Sequence, residues 1–90
     1  MELSDRFAIN PNVAVRQVGE ETVILDLTSG TYLGLDPVGA RIWQLMGEGM
    51  TLAQICSVML DEYEVARADL ERDTMNLVEE LSAQELISAS

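Results

Sequence analysis

The 90-residue chain contains no histidine and no lysine. Without histidine it lacks the commonest general base and the commonest metal ligand, and without lysine it has no Schiff-base amine. There is a single cysteine. Cys56 lies between Ile55 and Met59 on an apolar helical stripe, with no basic side chain near it in sequence to lower its pKa, so it reads as a buried structural thiol. No serine sits in a G-x-S-x-G elbow or an S-x-x-K pair, and no D-x-D-x-D-G loop arranges the acids for calcium. Composition therefore predicts a binding protein, with no catalytic residues, no metal and no cofactor. No apolar run approaches the roughly 18 to 20 residues of a membrane span. The opening Met1-Glu2-Leu3-Ser4-Asp5-Arg6 does not resemble a secretion signal, so the expected location is the cytoplasm.

Bases are scarce as well. All five are arginines (Arg6, Arg16, Arg41, Arg67 and Arg72) against sixteen acids, giving a net charge of −11. Such a surface cannot assemble the basic stripe that nucleic-acid or anionic-lipid binding needs, so DNA, RNA and membrane partners are not expected. The charge is uneven. Residues 1–46 carry six acids and three arginines, net −3, and residues 47–90 carry ten acids and two arginines, net −8. A basic partner is drawn to the second half.

What is present is an ordinary globular balance, 48% apolar and 23% charged, in a length that allows one domain spanning residues 1–90. Val13, Val15 and Val18 predict a first strand over residues 12–18, opened by Pro11 and closed by Gly19-Glu20-Glu21. Residues 22–27 alternate with period two, Val23, Leu25 and Leu27 on one face and Thr22, Ile24 and Asp26 on the other. After the turn residues Thr28-Ser29-Gly30, residues 31–35 form a third strand, completing an antiparallel meander. Asp36-Pro37 then caps a short first helix that ends at Gly47. Thr51 and Gln54 form a capping box for a second helix, whose apolar face is Leu52, Ile55, Cys56, Met59, Leu60 and Tyr63. A third begins between Val65 and Asp69 and turns Leu70, Thr74, Leu77, Val78 and Leu81 inward before Leu86 and Ile87 close the core. The predicted class is α+β, a three-stranded antiparallel sheet followed by three helices.

One stretch is more specific than periodicity. Leu25-Asp26-Leu27-Thr28-Ser29-Gly30-Thr31-Tyr32-Leu33-Gly34-Leu35-Asp36-Pro37-Val38-Gly39-Ala40-Arg41-Ile42-Trp43 closely resembles the PqqD-like family. The matching positions are Gly30, Tyr32, Leu35, Asp36, Gly39, Ile42 and Trp43, then Gly49, Thr51, Leu52 and Ile55 at the second helix. Asp61-Glu62-Tyr63, and Asp73 with Leu77 and Leu81, extend the likeness over roughly residues 10–87. Each short motif is weak alone; their order and spacing carry the match.

The resemblance implies a winged-helix-like RiPP recognition element, a non-catalytic domain that captures the leader of a ribosomally made precursor peptide and presents it to modifying enzymes. The form Tyr-x-x-Leu-Asp-Pro-x-Gly is most similar to the stand-alone version of lasso-peptide biosynthesis, whose companions are a leader protease and a cyclase. The pyrroloquinoline-quinone version usually differs around strand three. An alternative is a scaffold subunit that mainly stabilises its partner enzyme, or the equivalent peptide chaperone of another such pathway.

An extended leader would add to the outer edge of the third strand, Thr31, Tyr32, Leu33, Gly34 and Leu35. In the family, specificity pockets lie between this strand and the third helix. On a helical projection Leu70, Leu77 and Leu81 lie together, flanked by Asp69, Asp73, Asn76 and Glu80. That flank is either an acidic wall for the peptide or a solvated helix face. Gly34 marks a bulge or a close approach by another backbone, Tyr32 a pocket wall or a core residue, and Trp43 a core residue or a contact. A DNA-binding winged helix is disfavoured because the second helix carries Asp61 and Glu62 and no base, and an acyl carrier because Ser57 follows Cys56 instead of an Asp.

Overall fold

A computed structural model describes residues 2–90. The elements run β1 (Phe7–Ile9), β2 (Val13–Val18), β3 (Glu21–Asp26), β4 (Tyr32–Leu35), α1 (Pro37–Gly47), α2 (Leu52–Glu62), α3 (Arg67–Ala83) and β5 (Ile87–Ala89). The expected meander is present as an antiparallel sheet in the order β2-β3-β4. A second, two-stranded sheet pairs β1 with β5, Phe7 opposite Ala89 and Ile9 opposite Ile87, and was not anticipated from pattern. It ties the two ends of the chain together, with α1 packed against β1.

Local chemistry explains most boundaries. Val18 pairs with Glu21, so Gly19-Glu20 is a two-residue hairpin turn, and Gly19 takes the positive φ of 62° that such a turn needs at its first position. The turn into β4 is organised by Asp26, whose carboxylate accepts hydrogen bonds from the Thr28 amide (2.9 Å) and the Ser29 hydroxyl (3.0 Å). The Thr28 amide above all, with Ser29, holds the Asp26 carboxyl below its ordinary pKa against the opposing effect of burial. Asp36 caps α1 by accepting from Gly39 N at 2.7 Å, with Pro37 in the first turn. Both halves of the Thr51–Gln54 capping box form at α2. α3 starts at Arg67 without a side-chain cap. It ends in a Schellman arrangement, in which Leu86 N donates to Leu81 O, Glu85 N donates to Ser82 O, and Glu85 adopts φ 58°.

The core sits between the helices and the inner face of the meander: Ile24 and Leu35 from the sheet, Ile42, Leu45 and Met46 from α1, Leu52, Ile55, Cys56 and Met59 from α2, Leu70, Val78 and Leu81 from α3, with Leu86. Thr74 is buried against the Cys56 thiol, and burial raises the pKa of that thiol. Trp43 is buried at 7% exposure. The face of β3 that turns inward is Thr22, Ile24 and Asp26, while the more apolar Val23 and Leu25 stay only half-buried on the outer face. Polarity alone would choose the reverse. Both polar residues are satisfied there, Asp26 by accepting from Thr28 and Ser29 and Thr22 by donating to the Gln17 side chain at 3.0 Å.

Candidate functional site

A cleft of about 350 Å³ opens between β4 and α3, closed at one end by the first turn of α1. Its floor is apolar: Leu33 from β4, Val38 and Ile42 from α1, and Leu77 from α3. Leu77 is half-buried, not fully inward as its helical position suggested. One wall is the α3 stripe Asp73, Asn76 and Glu80, which with Leu77 follows the i, i+3, i+4, i+7 spacing of a single helix face. Asp36 stands at the α1 end. Among the described residues three carboxylates and no base thus line the cleft, Asp73 also facing Arg72 at 3.5 Å, so it favours a cationic or polar-cationic occupant with an apolar side chain for the floor.

The exposed edge of β4 borders this cleft. Asp26 N donates to Thr31 O at 2.9 Å, and the unbroken register places Ile24 opposite Leu33 and Thr22 opposite Leu35. Antiparallel pairing alternates bonded and non-bonded residues, so the Leu33 and Leu35 amides and carbonyls face β3, and those of Tyr32 and Gly34 face outward. β4 is an edge strand. The backbone groups open to another chain therefore belong to Tyr32 and Gly34, while Leu33 contributes its side chain and Leu35 buries its own in the core.

Of the residues expected from sequence, Leu33, Gly34, Leu35, Asp73, Asn76, Leu77 and Glu80 meet around one cleft, and the others lie elsewhere. Leu70 is a core residue at 4% exposure. It shares an angle with Leu77 on the helical projection but sits seven residues, about 10 Å, earlier along the axis, where the core covers it. Asp69, one turn before Asp73, points to Arg72 at 3.3 Å and does not line the cleft. Thr31 bonds the Ser29 hydroxyl at 2.8 Å and lines a smaller hollow with Ala83, Gln84 and Glu85, beside the end of α3. Tyr32 is neither pocket wall nor core: it stands 72% exposed on the outer face of the sheet, opposite Leu25. Gly34 is not a bulge, because the register runs through it without interruption. A Cβ there would meet the Glu21 carboxylate, which lies across the strand and is free to move aside.

Pattern missed the α1 contribution of Asp36, Val38, Gly39 and Ile42. Asp36 and Pro37 signalled a helix start; that the start faces α3 is a matter of packing.

The family described as Coenzyme PQQ synthesis protein D (PqqD) matches residues 21–87. The chain belongs to the PqqD family. The matched span takes in every residue of the cleft and leaves β1 and β2 outside it. Two solved structures are similar over nearly the whole length of the PqqD-family chain. One is TbiB1 in complex with the TbiA(beta) leader peptide, 38% identical, covering 90% of this chain and 94% of that one with a TM-score of 0.81. The other is a lasso peptide synthetase B1 complexed with the leader peptide, 34% identical, covering 92% and 98% with a TM-score of 0.82. No curated protein sequence matches. Among the described residues, no helix is long and apolar enough to cross a membrane.

Proposed function

We propose that this protein binds the leader segment of a ribosomally made precursor peptide and performs no chemistry on it. The leader adds as a fourth strand along β4, exchanging backbone hydrogen bonds with Tyr32 and Gly34. A side chain of the leader enters the cleft over Leu33 and Leu77, and basic leader residues lie beside Asp73 and Glu80. The observation that carries this reading is the open β4 edge running beside an apolar-floored, acidic-walled cleft. The two similar structures, each solved with a leader peptide, support it.

The lasso peptide synthetase B1 structure favours lasso-peptide maturation over pyrroloquinoline-quinone synthesis, and a leader protease and a cyclase as the enzymes that receive the bound peptide. The domain acts in the cytoplasm, where precursor peptides are made. Titration calorimetry with the leader encoded beside this chain tests the proposal. A Kd of about 1 μM or tighter, equivalent to about −8 kcal/mol, is expected. Absence of binding at a hundredfold higher concentration, or turnover of the peptide by the pure protein, overturns it.

A further inference from the structure

The meander has a second open edge, at β2. Leu27 N donates to Asn12 O, and the register of β2 on β3 places Val15 opposite Ile24 and Gln17 opposite Thr22. By the same alternation the amides and carbonyls of Val15 and Gln17 point away from the sheet, while the Val13 amide is taken by Asn10 O at 3.3 Å. The edge is lightly protected: β2 contains no proline, lysine or acid, its register is unbroken, it is rich in valine, and its one charged residue is Arg16.

Beside this edge lies a cavity larger than the first. α1 packs on β3 and β4, and the inner face of β2 overhangs it, leaving Val15 51% exposed. The space beneath, about 560 Å³, is lined by Val15, Ile9, Ala40, Trp43 and Tyr63 among others, with Arg41 as the one charged lining residue among those described. Arg41 is already held by Glu62 at 2.7 Å. On the opposite face of β2, Arg16 makes no ion pair or hydrogen bond among the described residues. Residues 6–19 carry two arginines and no acid in a chain of net charge −11. The two edges of one sheet are therefore opposite in character, three carboxylates beside β4 and an unpaired arginine on β2.

We propose that the β2 edge accepts an extended strand of a second protein in which apolar and acidic residues alternate. Apolar side chains would enter the cavity beside Trp43 and Val15. The carboxylate between them would stand opposite Arg16, at a non-bonded pair position where cross-strand side chains come closest. Arg16 makes β2 the edge better suited to an acidic strand and the cleft carboxylates make β4 the edge better suited to a basic one, so both edges can be filled at once and the domain can hold two extended segments on opposite sides of one sheet. This goes beyond the leader-binding proposal and does not depend on it, because the backbone groups involved are different.

The test uses the whole protein with two blocked heptapeptide probes, Ac-EVEVEVE-NH2 and Ac-KVKVKVK-NH2, followed by residue-resolved amide hydrogen exchange and by the fluorescence of Trp43, the only tryptophan. At about ten times its Kd, the acidic probe should slow exchange about tenfold at Val15 and Gln17 and shift the Trp43 emission, leaving Tyr32 and Gly34 unchanged. Arg16→Glu, an exposed substitution, should weaken that probe severalfold. Protection of Val15 and Gln17 equally by both probes, protection by neither, or protection by the acidic probe at Tyr32 and Gly34 overturns the proposal. Protection of Val15 and Gln17 without any probe, with a dimer in sedimentation, assigns the edge to a second copy of the chain and overturns it equally.

Discussion

Replacing Tyr32 with proline removes one outward amide from β4 and none that the sheet uses. Tyr32 is 72% exposed, on the face away from the cleft, so loss of its side chain should cost little packing. Proline is tolerated on an edge strand where its missing N–H faces solvent. Thr31, which precedes it, would be confined to extended backbone, which suits its pairing with Asp26 at 2.9 Å. A strand-added leader would lose one hydrogen bond, about 0.5–1.5 kcal/mol net, and leave its own carbonyl partly unsatisfied, for a total of about 1–3 kcal/mol. At 1.4 kcal/mol per decade that is a loss of between about fivefold and a hundredfold in Kd. Leu33→Pro is the informative contrast, because the Leu33 amide faces Ile24 inside the ladder, and its removal should lower the stability of the sheet itself. Tyr32→Ala separates backbone from side chain. Calorimetry against the leader, with urea unfolding of each variant in parallel, reads both effects. If Tyr32→Pro is folded and binds within twofold of wild type while Tyr32→Ala does the same, strand addition at β4 is wrong.

Leu70→Ala should lose about 2–5 kcal/mol of stability in urea unfolding, the cost of a cavity in the core, whereas the half-buried Leu77→Ala should lose under about 2 kcal/mol and show the larger drop in leader affinity. Asp73→Asn should weaken leader binding more than Glu79→Gln, which lies outside the cleft. Exposed ion pairs contribute about 0.2–1 kcal/mol each, so the difference should be a few-fold at most and fade at high salt; equal affinities would reduce the acidic wall to a solvated face. The Asp26 pKa is depressed on folding. Its contribution to stability is therefore complete above the unfolded carboxylate value of about 4 and is lost as pH falls through the lower folded value. Urea midpoints measured downward from pH 5 should fall less steeply for Asp26→Asn than for wild type, and parallel curves would contradict the turn assignment.

How far the sequence reached follows from the range of the interactions involved. The strands of the meander, the Asp36 and Thr51 caps and the buried Cys56 rest on residues a few positions apart, and local pattern was enough to place them. So was the α3 stripe of Asp73, Asn76, Leu77 and Glu80, because helical periodicity alone aligns it. Periodicity supplies an angle and no depth, which is why Leu70 and Leu77 looked equivalent until the core covered one and the cleft exposed the other. It also shows that the faces of β3 differ without saying which is inside; that was decided by the packing of Ile24 into the core beside the helices, with Thr22 and Asp26 satisfied on the same face. Pairing of β1 with β5 joins segments about eighty residues apart in sequence through three-residue strands too short to show a period, and the turn that delivers β5 relies on Glu85 at positive φ where a glycine would have announced it. Which amides of β4 remain free, and that the first turn of α1 closes the cleft, depend on register and helix packing. Those are properties of the assembled chain, and only the tertiary structure could set them.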